Sequence, residues 1–226
     1  FQNSWKIKLM AVFTKINSKD IKKIENIFNL GVINKVEGIK KGIENTNYII
    51  KFNNTKFVLT IFEKRVKTKD LPFFMNLMSG LSNLKINCPK PMKTKKNSYL
   101  FNIKNKKACL VSFLKGNDKK TLTPKDCYIL GKNIAILHRA TKKLNLHRKN
   151  SLDVKSWAKL NKKIDKRINK VSKNFKSIIE KNISDIKKHW PKNLPKGVIH
   201  SDLFIDNIFF FRKKFYGFID FYFSST

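Results

Sequence analysis

The sequence has little cysteine and glycine and no long apolar run. Its three cysteines, Cys88, Cys109 and Cys127, form no CxxC pair and have no histidine at metal-ligand spacing. We therefore predict reduced, buried cysteines in a cytoplasmic protein, which excludes a disulfide framework. Runs such as LMAVF and NIFFF are too short to cross a membrane, so no membrane partner is expected. The basic start of the chain lacks the apolar length of a signal peptide.

Arginine and acidic residues are also scarce. The 226 residues carry a formal net charge of +35, with only five arginines beside 45 lysines. A nucleic-acid reader is expected to use more arginine, because its planar fork pairs with phosphates and guanine edges. The lysines are spread along the whole chain, which favours a solvated lysine surface. A basic nucleic-acid-binding protein remains an alternative of a different class. Nothing in the sequence indicates an oligomeric state.

The first half of the chain has the pattern of a small antiparallel sheet with two helices. A capped helix begins at Ser18 and closes at Gly31. A second helix is predicted over 69–84, before the breaker CPKP at 88–91. The predicted strands are 32–39, 46–52, 56–63, 98–103 and 106–114, with tight turns at Asn53-Asn54 and Lys104-Asn105.

The second half is mainly helical. Thr123-Pro124 begins a helix that runs to Ala140, and a long helical stretch over 153–190 is broken once. Short strands are predicted at 197–200, 207–211 and 214–220, the last two joined at Arg212-Lys213. The fold class is therefore α+β with two lobes, a β-rich lobe at 10–114 and a helical lobe at 115–226. The lobes join near 112–118 and form a cleft for a ligand. Residues 1–9 are expected to be extraneous or flexible.

Three carboxylates and an asparagine interrupt the apolar stretch VIHSDLFIDNIFFFRKKFYGFIDF, residues 198–221. His200, Asp202 and Asn207 have the spacing H-x-D-x-x-x-x-N, and Asp220 ends a later strand. This is the spacing of a kinase catalytic loop and its downstream metal ligand. Phosphoryl transfer needs a carboxylate to deprotonate a hydroxyl and a few oxygen ligands for Mg²⁺. Ordinary turns do not predict these separations, so we favour an ATP- and Mg²⁺-dependent kinase. In this interpretation His200 is a structural donor.

The stretch Gly-Val-Ile-His-Ser-Asp-Leu-Phe-Ile-Asp-Asn-Ile resembles the catalytic loop of the aminoglycoside phosphotransferase and choline kinase superfamily. The segments 10–14, 42–48, 57–65, 70–74 and 219–223 are similar to the bacterial homoserine kinase family. The resemblance implies a protein-kinase-like fold that transfers the γ-phosphate of ATP to the hydroxyl of L-homoserine, in threonine biosynthesis. A kinase for choline, a sugar or an aminoglycoside is the alternative in the same class. A nucleic-acid binder on a degenerate kinase fold is the alternative in another class.

The resemblance also implies roles for individual residues. Asp202 would be the catalytic base, and Asn207 and Asp220 would be the Mg²⁺ ligands. The segment 111–114 would be the hinge that meets adenine through its backbone. The residues predicted to contact the nucleotide are Gly42 in the phosphate-covering turn, Thr60 at the position of the usual strand lysine, and Ser112 and Leu114 in the hinge. Asp206 is either part of the site or only a brace of the loop.

The sequence departs from the kinase pattern in the groups that handle phosphate. It has no GxGxxG, and Thr60 replaces the V-A-I-K lysine. The acidic partner of that lysine would be Glu63 or Asp70. Candidates for the missing cation are Lys40, Lys41, Lys64 and Arg65.

The other departure is at the C-terminus. Members of the family continue with a further helical segment, so we expect a truncated chain that leaves apolar surface of the helical lobe uncovered. An inactive or poorly folded fragment is the corresponding alternative.

Overall fold

A five-stranded antiparallel sheet forms most of the N-terminal part of the molecule. The computed structural model describes residues 12–42 and 44–226, so the expectation for residues 1–9 lies outside the described residues. The strands are β1 (Ile33–Gly38), β2 (Thr46–Phe52), β3 (Thr55–Ile61), β4 (Leu100–Ile103) and β5 (Lys106–Ser112). Their order across the sheet is β1-β2-β3-β5-β4, and each neighbouring pair is antiparallel. All five strands had been predicted from the sequence.

Tight turns determine the register of the hairpins. Lys104 and Asn105 both have positive φ, 49° and 59°, which matches the twist of the flanking strands. A separate hairpin pairs β6 (Ile208–Phe211) with β7 (Lys214–Phe218). It turns at Arg212 and Lys213, with φ of 50° and 65°. The predicted two-residue turns are therefore confirmed.

Two helices pack on opposite faces of the large sheet and create two cores. Helix α1 (Ser18–Ile27) begins with a capping box at Asn17 and buries Ile24 against the first core. Helix α2 (Leu71–Asn83) belongs to the second core. Alternate residues of β5 pack into the two cores, because successive side chains of a strand point to opposite faces of the sheet. Thus Leu110 joins the first core and Val111 the second.

The second core draws on residues from both predicted lobes. It unites α2 with α3 (Pro124–Lys142) and with the β6–β7 hairpin. Helix α3 begins with a capping box between Thr123 and Asp126, where Pro124 occupies the first turn. The sheet lobe is therefore joined to the helical lobe by buried apolar contacts. The division at 114/115 stays a prediction.

The remaining helices leave much apolar surface exposed. The stretch predicted over 153–190 consists of α4 (Val154–Ile164), a 3₁₀ segment (Asp165–Lys170) and α5 (Phe175–His189). Leu160 is 45% exposed, Val171 77% and Ile178 50%, as expected for a helical lobe with uncovered apolar side chains. Within the described ranges, no helix has the length and apolar character needed to span a membrane.

Three expectations from the sequence are wrong. The first helix ends at Ile27 and not at Gly31, because the backbone of Phe28 is already extended. The predicted strand 197–200 is reduced to a single bridge between Ile199 and Ser225. A side chain takes the place of a partner strand next to this bridge, since the Thr141 hydroxyl donates to the Val198 carbonyl at 2.9 Å. Of the three free cysteines, Cys127 is exposed rather than buried, because it lies on the outward side of α3.

Arg148 joins the start of α2 to the end of the described chain. Its Nε donates to Asp70 Oδ2 at 3.0 Å, and its Nη1 donates to the Ser224 carbonyl at 3.1 Å. The backbone N–H of Thr226 donates to the Arg148 carbonyl at 2.8 Å. The guanidinium lies over the Phe74 ring, 5.0 Å from its centroid. One side chain therefore holds α2 and the segment after Asp220 together.

We predict that Arg148→Ala lowers the free energy of unfolding by about 1–3 kcal/mol, because Asp70 and a carbonyl lose their donor. Urea unfolding followed by circular dichroism measures the change. The matched control is Arg139→Ala, since Arg139 is exposed and forms no ion pair within the described residues. Equal midpoints for the two variants would contradict this role of Arg148.

Candidate active site

The loop 200–207 is tied at both ends to Ile219, the residue that follows β7. His200 Nε2 lies 2.8 Å from the Ile219 carbonyl and donates to it. The Ile219 N–H donates to the Asn207 carbonyl at 3.0 Å. His200 Nδ1 accepts from the Asp202 N–H at 3.3 Å, which requires a neutral imidazole. Burial lowers the pKa of His200 to about 4, so the ring remains neutral. These contacts agree with the interpretation of His200 as a structural donor.

The catalytic-loop pair predicted from the sequence is in direct contact. Asn207 Nδ2 donates to the Asp202 backbone carbonyl at 2.8 Å and to Asp202 Oδ2 at 3.1 Å. This leaves Asn207 Oδ1 with no hydrogen bond from any described residue. Ser201 and Asp220 both have left-handed backbone, with φ of 66° and 62°. Strained conformations of this kind cluster at functional sites.

Three carboxylates approach one another here, and we call Glu44, Asp202 and Asp220 the acidic cluster. Burial, together with the charges of Asp202 and Glu44, raises the pKa of Asp220 to about 6. Asp220 keeps an exposed surface, but the protein atoms around it exclude enough water to disfavour its charge. Burial also raises the pKa of Asp202, against the hydrogen bond from Asn207. Glu44 is paired with Arg65, whereas Asp202 and Asp220 have no ion pair within the described residues.

Asp220 and Asn207 fit the requirements of Mg²⁺. Nowhere in the part of the chain that the structure describes do three His, Cys, Asp or Glu side chains converge as a metal site. The carboxylate of Asp220 and the unbonded amide oxygen of Asn207 would provide only two protein ligands. Mg²⁺ prefers such a site, because phosphate and water complete its octahedron. A cation there would also favour the ionised form of Asp220.

The residues predicted to bind nucleotide lie in different environments. Gly42 has φ of 114°, and a Cβ there would meet no atom within 4 Å, so the turn is open. Thr60 is only 2% exposed. In the hinge, the Ser112 N–H already donates to the Lys90 carbonyl at 2.8 Å. The Leu114 backbone has no partner among the described residues and is therefore better placed to meet adenine. All four roles remain predictions.

Glu63 and Asp70 do not reach the acidic cluster. Glu63 forms an ion pair with Lys106 and accepts a hydrogen bond from the Thr46 hydroxyl at 2.7 Å. Asp70 is bound to Arg148. Asp206 is exposed and makes no hydrogen bond within the described residues, and its charge helps to raise the pKa of Asp202.

Sequence reasoning missed Glu44. The charge of Asp202 helps to raise the pKa of Glu44, although burial is the larger cause. Two signals were available, since Glu44 lies within the predicted phosphate-covering turn, residues 38–45, and within the segment 42–48, which is similar to homoserine kinases. The surface recesses lined by Leu84, Ile136 and Arg139 and by residues of α1 lie away from these carboxylates.

Comparison with known proteins identifies the family. A family model described as "Phosphotransferase enzyme family" matches residues 35–226. The chain belongs to this phosphotransferase family. It is 37% identical to the homoserine kinase of Agrobacterium fabrum over 215 residues, which are 95% of the chain and 67% of that protein. The homoserine kinase of Allorhizobium ampelinum is 38% identical over the same shares.

A solved structure supports the fold of this phosphotransferase. An amicoumacin kinase in complex with AMP-PNP and Ca²⁺ superimposes with a TM-score of 0.71 at 16% identity, over 93% of this chain and 65% of that one. The predicted protein-kinase-like α+β fold, the resemblance to homoserine kinases and the class of ATP-dependent kinase are therefore confirmed.

Because His200 is neutral in the folded protein, we predict that the protein becomes less stable to unfolding in acid. Its pKa falls from 6.5 to about 4 on folding, so the unfolded chain binds more protons between these values. The free energy of unfolding should therefore fall as the pH drops through this window, by at most roughly 3 kcal/mol. Asp220 opposes this, because its pKa is raised to about 6 and folding binds its proton. Urea unfolding of the Asp220→Asn variant, measured at several pH values between about 4 and 6.5, removes the contribution of Asp220 and leaves that of His200.

The control adds His200→Gln to Asp220→Asn, since glutamine keeps an N–H donor but does not titrate. The pH slope should be shallower in the double variant. An equally steep slope in both proteins would assign the acid sensitivity to other groups.

Proposed function

We propose that this phosphotransferase transfers the γ-phosphoryl group of ATP to the side-chain hydroxyl of L-homoserine, giving O-phospho-L-homoserine and ADP. The observation that carries the chemistry is the contact between Asp202 and Asn207 beside Asp220. The choice of acceptor rests on 37–38% identity to two homoserine kinases over 95% of the chain. The reaction belongs in the cytoplasm, where ATP is available.

Asp202 acts as the base in this proposal. Its carboxylate accepts the proton of the acceptor hydroxyl while the oxygen attacks the γ-phosphorus and the bond to the β-phosphate oxygen breaks. The raised pKa of Asp202 suits it to hold that proton. The hydrogen bond from Asn207 keeps the carboxylate in one orientation, so little reorganisation is needed.

Asn207 and Asp220 hold the metal in this proposal. Bound Mg²⁺ supplies positive charge that offsets the charge developing on the phosphate oxygens. The Leu114 backbone would meet adenine, and the open turn at Gly42 would cover the phosphates. The tie through Ile219 fixes both metal ligands relative to Asp202.

We expect Asp202→Asn to lower kcat by about 10²–10⁴-fold, because the amide cannot accept the hydroxyl proton. Asparagine keeps an oxygen for Asn207, so AMP-PNP affinity should stay near that of the unsubstituted protein. A coupled ADP-release assay and calorimetric titration measure the two quantities. Asp206→Asn, the same change in the same loop, should retain activity within a few-fold. Near-normal turnover by Asp202→Asn would refute the assigned role.

Asp220→Asn should raise the Mg²⁺ concentration that gives half-maximal activity by about tenfold or more, because a carboxylate ligand becomes neutral. Titration of Mg²⁺ at saturating ATP measures this requirement. The comparison protein is Asp206→Asn, which removes a nearby charge but no proposed ligand. An equal Mg²⁺ requirement in the two variants would remove Asp220 from the metal site.

A further inference from the structure

The four candidate cations for the phosphate site have different surroundings. Lys41 Nζ is bonded to Asp118 Oδ2 at 2.6 Å, at the edge of the hinge. Lys40 and Lys64 are exposed and have no ion pair within the described residues. Arg65 forms an ion pair with Glu44, a member of the acidic cluster. Arg65 is therefore the candidate that the fold brings to the site.

Three groups around Arg65 define its position. Its guanidinium lies over the Phe223 ring, 4.9 Å from the centroid, and Phe223 is three residues beyond Asp220. Its positive charge opposes the upward pKa shifts of both Glu44 and Asp202. The side chain is 60% exposed, so an incoming ligand can reach it. Arg65 thus lies between the phosphate-covering turn and the catalytic loop.

We propose that Arg65 is the oxyanion-binding residue of this site, and that its guanidinium exchanges Glu44 for a substrate oxyanion beside Asp202. The planar guanidinium suits two oxyanions of the reaction, the terminal phosphate of ATP and the carboxylate of an amino-acid acceptor. This inference rests on the proposed function for the identity of both substrates.

The contacts make such an exchange energetically accessible. The Arg65 side chain is 60% exposed and that of Glu44 only 20%, so water screens this ion pair from the arginine side, where a substrate oxyanion can replace Glu44. The Phe223 ring holds the guanidinium from its face and leaves its N–H groups free to change partner. Glu44 therefore keeps the cation near Asp202.

The test compares Arg65→Ala and Arg65→Lys with the unsubstituted protein on two acceptors. L-Homoserine carries the carboxylate, and 3-amino-1-propanol is the same molecule without it. Lys64→Ala is the matched control, since it removes a neighbouring charge that has no partner in the described structure. Steady-state kinetics give kcat and KM for each acceptor and for ATP, and calorimetry gives AMP-PNP affinity without turnover.

If Arg65 binds the acceptor carboxylate, Arg65→Ala raises the KM for L-homoserine by about 30-fold or more and leaves kcat/KM for 3-amino-1-propanol within about threefold. If it binds the phosphate, kcat falls about equally with both acceptors and AMP-PNP affinity drops by about tenfold. Arg65→Lys should recover part of either loss, because it keeps the charge but not the fork. Lys64→Ala should change none of these quantities.

The proposal is overturned if Arg65→Ala matches Lys64→Ala in every measurement. The experiment also distinguishes failure of this proposal from failure of the proposed function. If the unsubstituted protein does not phosphorylate L-homoserine, the acceptor assignment is wrong, and AMP-PNP affinity then decides the role of Arg65. An equal affinity of Arg65→Ala and the unsubstituted protein for AMP-PNP would then overturn it too.

Discussion

Two hydrogen bonds to the backbone of Ile219 determine the relative positions of the groups in the site. The His200 ring donates to the Ile219 carbonyl, and the Ile219 N–H donates to the Asn207 carbonyl. The two ends of the catalytic loop therefore meet at one residue. Asp220 comes next and is turned by its left-handed φ of 62°. The tie depends on a neutral imidazole, because a protonated ring could not accept from Asp202. The Phe221 ring, 4.6 Å from that of His200, helps to keep the ring dry and therefore uncharged.

The chain separates its charges in a way that suits an anionic substrate. Many of its few carboxylates are already paired, as in Lys119–Asp126 and Lys106–Glu63. Asp202 and Asp220 have no such ion pair within the described residues, although the net charge is +35. A lysine-rich surface attracts ATP from a distance. Under the proposed function, Mg²⁺ and Arg65 would supply the positive charge that these unpaired carboxylates lack.

The sequence predicts those features that depend on local spacing. The turn at Lys104-Asn105, the helix start at Thr123-Pro124 and the loop from His200 to Asn207 are each determined by neighbours along the chain, and the structure has all three. The strand at 197–200 was wrong because its carbonyls bind side chains from distant segments. The partners of Glu63 and Asp70 and the approach of Glu44 depend on which loops meet in space. No local pattern encodes those encounters, so sequence reasoning could only name candidates.

Thr60 lies in surroundings that do not suit the usual strand lysine. It is 2% exposed, and its hydroxyl donates to Asn47 Oδ1 at 2.8 Å. Its neighbours include Tyr222 and Cys109, whose OH and Sγ are 3.6 Å apart, and burial raises the pKa of both. A lysine at this position would carry its charge into surroundings that disfavour charge. Glu63 could not compensate it, because Lys106 already occupies that carboxylate. A guanidinium placed after the strand, at Arg65, approaches Asp202 from solvent and avoids this desolvation.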